Sequence, residues 1–125
     1  MDIREATPDD FDFLDQLEKA CFCASRRFSR KSIRNSILSA HQIVLIAGTD
    51  GSRCGSMILM TYKKHMRVYS LAVLPEYQKS GVGSALMNHA ILIARRAGYA
   101  RISLEADVYD ERLIRWYENF GFEVE

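Results

Sequence analysis

The sequence predicts an α/β fold in which a mixed sheet, antiparallel first and parallel at its centre, is flanked by helices. Three observations lead to this prediction. Asp50-Gly51 stands between two apolar segments and is typical of a two-residue hairpin turn, because glycine tolerates the positive φ that the turn needs. Apolar residues recur at helical spacing over 81–97. After Pro75 the segments alternate between strand and helix, which is the pattern of a parallel strand pair.

The first part of the chain predicts a short strand and two helices. Residues 3–6 alternate between apolar and polar, as a strand does. Thr7 and Pro8 indicate a helix start, because threonine caps a helix and proline fits its first turn. Apolar residues at helical spacing continue this helix over 11–21, and Ser29 begins the second one.

The remaining elements complete the sheet. Gly98 and Gly121 end the last two helices. A helix connects the strands at 67–74 and 100–106, so we expect these strands to be parallel neighbours with a right-handed crossover. In order, the predicted elements are strands at 43–47, 54–62 and 67–74, a helix at 81–97, a strand at 100–106, a helix at 110–120 and the start of a strand at 122–124.

Length and charge restrict the function. The 125 residues make one domain, 1–125, with room for one hydrophobic core. The net charge of +1 argues against bulk electrostatic binding to nucleic acid or to an anionic membrane, so we expect neither as a partner. No apolar run approaches the roughly 18 residues that span a bilayer. The first residues lack the apolar stretch of a secretory signal, which predicts a cytoplasmic protein.

The cysteines do not indicate a metal site or a disulfide framework. Cys21, Cys23 and Cys54 form an odd and small set, which is typical of free thiols. Their spacing relative to the three histidines matches no metal-binding motif, so we expect no metal.

A basic run covers residues 26–34. Its cations are Arg26, Arg27, Arg30, Lys31 and Arg34. One interpretation is a solvated helix face. The other is a rim that attracts an acidic ligand or peptide.

The segment from the end of one strand to the start of the long helix has the features of an anion site. The first N–H groups of a helix have no partner inside it, and the helix dipole adds positive charge there. Gly81 and Gly83 remove side chains that would block a pyrophosphate. A P-loop motif and the dinucleotide fingerprint are both absent. Two glycines alone are equally consistent with a tight turn that binds no ligand.

Segment 78–83 (Gln-Lys-Ser-Gly-Val-Gly) resembles the Gln/Arg-x-x-Gly-x-Gly/Ala signature of the GNAT family of N-acetyltransferases. Segments 71–75 and 117–122 also match that family, in its order and spacing. Within the family the chain looks most like the ribosomal-protein alanine N-acetyltransferases. The resemblance implies the GNAT fold, with acetyl-CoA as the acyl donor and no metal.

The resemblance also implies how acetyl-CoA is held. The backbone N–H groups of the loop before the long helix hold its pyrophosphate. The strand at 71–73 diverges from its parallel neighbour and pairs with the pantetheine arm, and the Leu71 N–H polarises the thioester carbonyl. The implied cofactor-binding residues are Leu71, Ala72, Val73, Gln78, Lys79, Ser80, Gly81, Val82, Gly83, Ser84 and Asp110.

Two residues match the family's catalytic groups. Tyr117 matches the general acid that protonates the departing thiolate, and Glu105 matches the base that takes the proton of the attacking ammonium. A core tyrosine and an exposed carboxylate at a strand end are the alternatives. Asp107 and Asp110 are nearby acids that can share or replace the role of Glu105.

The chain departs from the family pattern at two places. Asp110 stands where the family often has asparagine, and an acid there repels phosphates unless it caps the last helix. Family members usually continue through one more strand after the position of Glu125. Without that strand, an open edge lies beside the strand at 100–106, which predicts a homodimer through this edge, an edge filled by the chain's own tail, or an unusually open acceptor site.

The reaction that the resemblance implies is direct transfer of an acetyl group to a primary amine. The acceptor is a protein N-terminus, a lysine or a small amine, and the Leu104-Glu105 and Tyr117 matches favour a protein or peptide amine. An acetyltransferase for a small-molecule amine and a non-catalytic acyl-CoA-binding module are the alternatives.

Overall fold

The computed structural model describes residues 1–106 and 109–123. Over these residues the chain forms five strands and four helices, with 3-10 turns at Pro8–Asp10 and Pro75–Tyr77. The strands are β1 (Asp2–Glu5), β2 (Gln42–Thr49), β3 (Ser52–Thr61), β4 (His65–Val73) and β5 (Arg101–Leu104). The helices are α1 (Phe11–Cys21), α2 (Arg30–Leu38), α3 (Val82–Ala97) and α4 (Glu111–Glu118).

The strands form one mixed sheet whose spatial order equals their order in the chain. Neighbours from β1 to β4 are antiparallel, whereas β4 and β5 are parallel and are connected through α3. The predicted mixed α/β fold, with its parallel pair, is therefore confirmed. Among the described residues no strand lies on the outer side of β5. The homodimer expected at this edge stays a prediction.

Helices cover both faces of the sheet, and each face has its own core. On the α3 face, Met57 and Leu59 of β3 pack with Leu86 of α3, and α4 adds partly buried aromatic rings. On the α1 face, Ile58 packs with Ile33 and the other apolar residues of α1 and α2. The alternation of side chains along β3 explains why adjacent residues belong to different cores.

A bulge interrupts β4 at Tyr69. The adjacent β3 residues Ile58 and Leu59 pair with Ser70 and Val68, so Tyr69 is an extra residue without a partner in β3. A bulge bends its strand and increases the local twist. It also shifts the alternation of side chains by one position.

The bulge opens a gap between β4 and β5. Their parallel pairing ends at Val68 and Leu104. We call the unpaired region between residues 69–73 of β4 and residues 105–106 the gap. The divergence that the family resemblance implied for residues 71–73 is therefore present. Because of the bulge, Val68 before it and Leu71 after it both belong to the α3 face.

Two predicted strands differ from the structure. The strand predicted at 100–106 is limited to Arg101–Leu104, because the bulge turns β4 away from its parallel partner. The strand predicted to start at residue 122 is wrong for Phe122 and Glu123, which have no strand pairing, and Val124 lies outside the described residues. Phe122 packs against the α3-face core instead.

Candidate active site

The loop before α3 (residues 78–84, the α3 loop) presents a row of backbone N–H groups. Lys79 and Gly81 have φ angles of 67° and 88°, both in the left-handed region. Alternation of left-handed and right-handed residues turns successive N–H groups toward one concave side, which is an anion-binding arrangement. Among the described residues, nothing accepts a hydrogen bond from several of these N–H groups. They belong to Lys79, Gly81, Val82, Gly83 and Ser84.

The side chains of the α3 loop hold its shape from within. The Gln78 amide donates to the Val73 carbonyl at 3.1 Å, and the Ser80 hydroxyl donates to the Tyr77 carbonyl. The Gln78 backbone N–H donates to the Pro75 carbonyl at 3.3 Å. The predicted cofactor residues Gln78 and Ser80 are thus placed at the loop with their side chains bound internally. A ligand here meets mainly backbone.

The N-terminus of α3 needs an external partner. Its N-cap is Gly81, which has no side chain to accept the first N–H groups. Uncapped N–H groups and the positive end of the helix dipole together favour an anion, phosphate above all. The exposed Lys79 adds a positive charge beside them. The residues of the α3 loop therefore fit a pyrophosphate.

Gly55 lets α3 dock closely on the sheet, whereas Gly83 is not needed for its packing. A Cβ on Gly55 of β3 would lie 3.0 Å from the Ala72 carbonyl oxygen and 3.0 Å from Val82 Cγ1. Gly55 thus brings the start of α3 against the sheet; only its unusual place inside a strand could have indicated this from sequence. A Cβ on Gly83 would meet ring carbons of Trp116 at 3.6 and 3.7 Å, which is ordinary contact. Packing against Trp116 therefore does not require glycine at position 83, and the access role expected from sequence stays a prediction.

The edge of β4 that faces the gap carries backbone groups that do not pair with β3. The Val73 carbonyl points away from β3, because it accepts from Cys21 Sγ at 3.2 Å as well as from Gln78. Alternate residues of a strand point their backbone groups to the same side. The backbone of Leu71 therefore also faces the gap, where an extended chain can pair with it like an added strand.

Tyr117 lies on the α3 face, at the groove beside β5. The groove has a volume of about 960 Å³ and lies between β5, α3 and α4. The Tyr117 ring packs edge-on against Trp116 and Phe122, with centroids 5.3 and 6.1 Å apart. Burial, and to a smaller extent the charge of Asp110, raises the pKa of the Tyr117 hydroxyl. This hydroxyl is protonated at neutral pH and has no hydrogen-bond partner among the described residues.

Glu105 follows β5 and lies on the other face of the sheet. Its side chain is 83% exposed, and Oε1 is 3.3 Å from Nη2 of Arg67. Arg67 pairs in register with Ser103. Since alternate residues share a face, Glu105 lies on the α1 face, opposite to the face of Leu104 and Tyr117. The predicted acid and the predicted base thus come from opposite faces of the sheet, yet both residues line the groove beside β5.

An aromatic pair covers the gap on the α1 face. The ring of Phe28, from the connection between α1 and α2, stacks on Tyr69 with centroids 5.3 Å apart and planes 24° apart. The guanidinium of Arg67 lies 5.6 Å from the Tyr69 ring centroid. The Phe28–Tyr69–Arg67 contacts were not predicted, because 41 residues separate Phe28 from Tyr69 in the sequence.

The other predicted residues take ordinary structural positions. Asp110 caps α4, accepting from the Leu113 N–H at 3.1 Å, as its place at the helix start suggested. Asp107, the alternative base, lies outside the described residues. All three cysteines are free thiols. Within residues 1–106 and 109–123, no three His, Cys, Asp or Glu side chains come together to hold a metal, and no helix has the length and apolar character to cross a membrane.

Residues 11–122 match the model of the Acetyltransferase (GNAT) family. The chain is 36% identical over 73 residues to the ribosomal protein bS18-alanine N-acetyltransferase of Escherichia coli strain K12, covering 58% of this chain and 49% of that protein. It is 29% identical over 97 residues to the probable N-acetyltransferase family 8 member 5 of Mus musculus, covering 73% and 43%. The chain thus spans under half the length of these relatives.

Solved structures share the fold. The ribosomal-protein-S18-alanine N-acetyltransferase from Escherichia coli superposes with a TM-score of 0.90 at 22% identity, over 99% of this chain and 78% of that one. The PaiA N-acetyltransferase from Thermoplasma acidophilum, in complex with coenzyme A, gives a TM-score of 0.89 at 19% identity, over 99% and 90%. At these identities the likeness concerns the fold alone.

Proposed function

Because the chain belongs to the acetyltransferase (GNAT) family, we propose that it transfers an acetyl group from acetyl-CoA to a primary amine. One observation carries the proposal: the free N–H groups at the start of α3 lie beside a gap in the sheet. The N–H groups suit a pyrophosphate. The gap suits the extended arm that follows it in coenzyme A.

The proposed donor site uses backbone on both sides of the α3 loop. The N–H groups of Lys79 to Ser84 bind the pyrophosphate, and the Leu71 and Val73 backbone at the gap pairs with the pantetheine arm. The Leu71 N–H then donates to the thioester carbonyl oxygen, where negative charge develops during attack. Gln78 holds the Val73 carbonyl and so positions this part of β4.

The proposed chemistry is divided between the two faces of the gap. On the α1 face, Glu105 accepts a proton from the acceptor ammonium, directly or through water, because only the neutral amine is a nucleophile. The amine nitrogen forms a bond to the carbonyl carbon, and the carbon–sulfur bond breaks. On the α3 face, Tyr117 gives its proton to the departing sulfur. The nitrogen then loses its second proton, and this proton restores the hydroxyl of the general acid through water. The products are the amide and coenzyme A.

We infer that the acceptor is a protein or peptide amine. The support is the likeness to relatives named as acting on a ribosomal protein and as an N-alpha-acetyltransferase. An acetyltransferase for a small amine shares the donor site, so only the acceptor distinguishes it.

Two measurements test the proposal. Calorimetric titration of the purified chain should show binding of coenzyme A, and thiol release should show acetyl transfer to an alanine-initiated peptide. Binding without transfer to any amine would leave a non-catalytic acyl-CoA-binding module. Absence of binding would refute the assignment of the α3 loop. If the chain acetylates spermidine and no peptide, the acceptor is a small amine and not a protein or peptide amine.

A further inference from the structure

The connection between α1 and α2 (residues 22–29, the α1–α2 loop) is fixed beside the gap. The carboxylate of Glu18, which is 7% exposed, accepts from the Phe28 N–H at 3.1 Å. The Arg27 guanidinium donates to the Phe22 carbonyl at 2.9 Å. Together with the stacking of Phe28 on Tyr69, these contacts hold the loop against the α1 face. The backbone that carries Arg26 and Arg27 is therefore fixed beside Tyr69, at the edge of the gap.

The charge of Arg27 interacts with the buried Glu18 carboxylate, whereas no described carboxylate forms a salt bridge with Arg26. Arg26 and Arg27 are both exposed, and neither forms a salt bridge with any described carboxylate. The carboxylates nearby already have partners. Asp15 binds Lys19 at 3.1 Å and Arg30 at 2.8 Å, Glu105 binds Arg67 at 3.3 Å, and Glu18 is buried under the loop.

We propose that Arg26, together with Arg27, selects an acceptor whose amine is followed by acidic residues, such as an acidic peptide N-terminus. The inference rests on the proposed function, since it concerns the acceptor of that reaction. An acidic segment on the α1 face gains an attractive charge interaction with the loop, whereas a polyamine or an arginine-rich peptide is repelled. The chain's net charge of +1 cannot produce such a preference, so it must come from this local excess.

The test compares two peptides that begin with alanine and continue with either three aspartates or three arginines. We expect the wild-type chain to give a kcat/KM about tenfold higher for the acidic peptide at low salt, from two or three exposed charge pairs. The preference should shrink toward equality in about 1 M NaCl, where the Debye length is about 3 Å. Arg26→Glu should lower the acidic-to-basic ratio roughly fivefold.

Lys63→Glu is the matched control. Lys63 is also exposed, and it lies in the turn before β4, at the opposite end of that strand from the gap. The same change of charge there should leave the ratio unchanged. The inference would be overturned if both variants lowered the acidic-to-basic ratio of kcat/KM equally. A wild-type preference for the arginine peptide or for spermidine would also overturn it. So would a changed KM for acetyl-CoA in Arg26→Glu with an unchanged acceptor ratio. If both peptides are acetylated at equal rates, only the inference about acidic acceptors is refuted. If coenzyme A does not bind, the proposed function itself is refuted.

Discussion

The two sides of the gap are built from different parts of the chain. On the donor side, the α3 loop offers backbone N–H groups that follow one another in sequence. On the acceptor side, the α1 face offers side chains from three distant segments: Phe28, then Arg67 and Tyr69, then Glu105. A backbone site tolerates changes in side chains but not in φ and ψ. A side-chain site has the opposite sensitivity. Substitutions in the α3 loop should therefore change coenzyme A binding, whereas substitutions on the α1 face should change the reaction with the acceptor.

The largest effect is expected from Gly81→Val, which disturbs the backbone conformation of the α3 loop. Gly81 has a φ of 88°, and a β-branched residue is strongly disfavoured there. Loss of two charge-assisted hydrogen bonds should weaken coenzyme A binding about a thousandfold. Gly98→Val is the control, because Gly98 has a φ of 76° at the other end of α3. It should lower thermal stability yet leave affinity intact. Calorimetry showing equal affinity in both variants would disprove the role of Gly81.

Tyr117→Phe should lower kcat about a hundredfold and leave coenzyme A affinity unchanged, since general acids contribute about 10²–10⁴-fold. Burial raises the pKa of Tyr117, so the acid form persists to higher pH than for an ordinary tyrosine. The alkaline loss of activity through this group should accordingly begin above the usual tyrosine pKa of about 10. Tyr62→Phe in the exposed turn before β4 is the control. A kcat unchanged by Tyr117→Phe would assign the residue to the core alone.

Glu105→Gln tests the acceptor side and should have a smaller effect. The carboxylate is 83% exposed, so water can replace part of its role, and we expect about a tenfold fall in kcat/KM at neutral pH. Activity should recover at higher pH, where the amine loses its proton unaided. Coenzyme A affinity should not change. The control is Glu5→Gln, on the exposed strand β1. An unchanged pH–rate profile would place the base elsewhere.

The smallest effect is expected from Gly83→Ala. This variant tests whether the α3 loop needs glycine for the room it leaves, rather than for a backbone angle as at Gly81. The new Cβ would meet Trp116 at 3.6 Å, an ordinary contact, and alanine favours a helix by up to about 1 kcal/mol over glycine. Coenzyme A affinity should change less than twofold, and Tm should rise or stay constant. A large loss of affinity would show that Gly83 itself borders the bound phosphate.

The sequence predicted the donor side better than the acceptor side. Gly81, Gly83 and the helix that follows them are local features, so the sequence located a candidate anion site there, although the two glycines alone were equally consistent with a turn that binds no ligand. For the basic run at 26–34, the sequence left two interpretations open. Whether Arg26 is a solvated charge or faces a ligand depends on what the α1–α2 loop packs against, and that contact comes from Tyr69, far along the chain.

The sequence by itself determined the order of strands and helices, the parallel pair and the glycine-containing turn before α3, because periodicity, capping and glycine spacing act over a few residues. Only the tertiary structure decided where β4 leaves β5, since an extra residue at Tyr69 is defined by its partners in β3. The same holds for the face on which each catalytic candidate lies. One bulge fixes both, because it shifts the side-chain alternation of β4 and opens the gap at the same position.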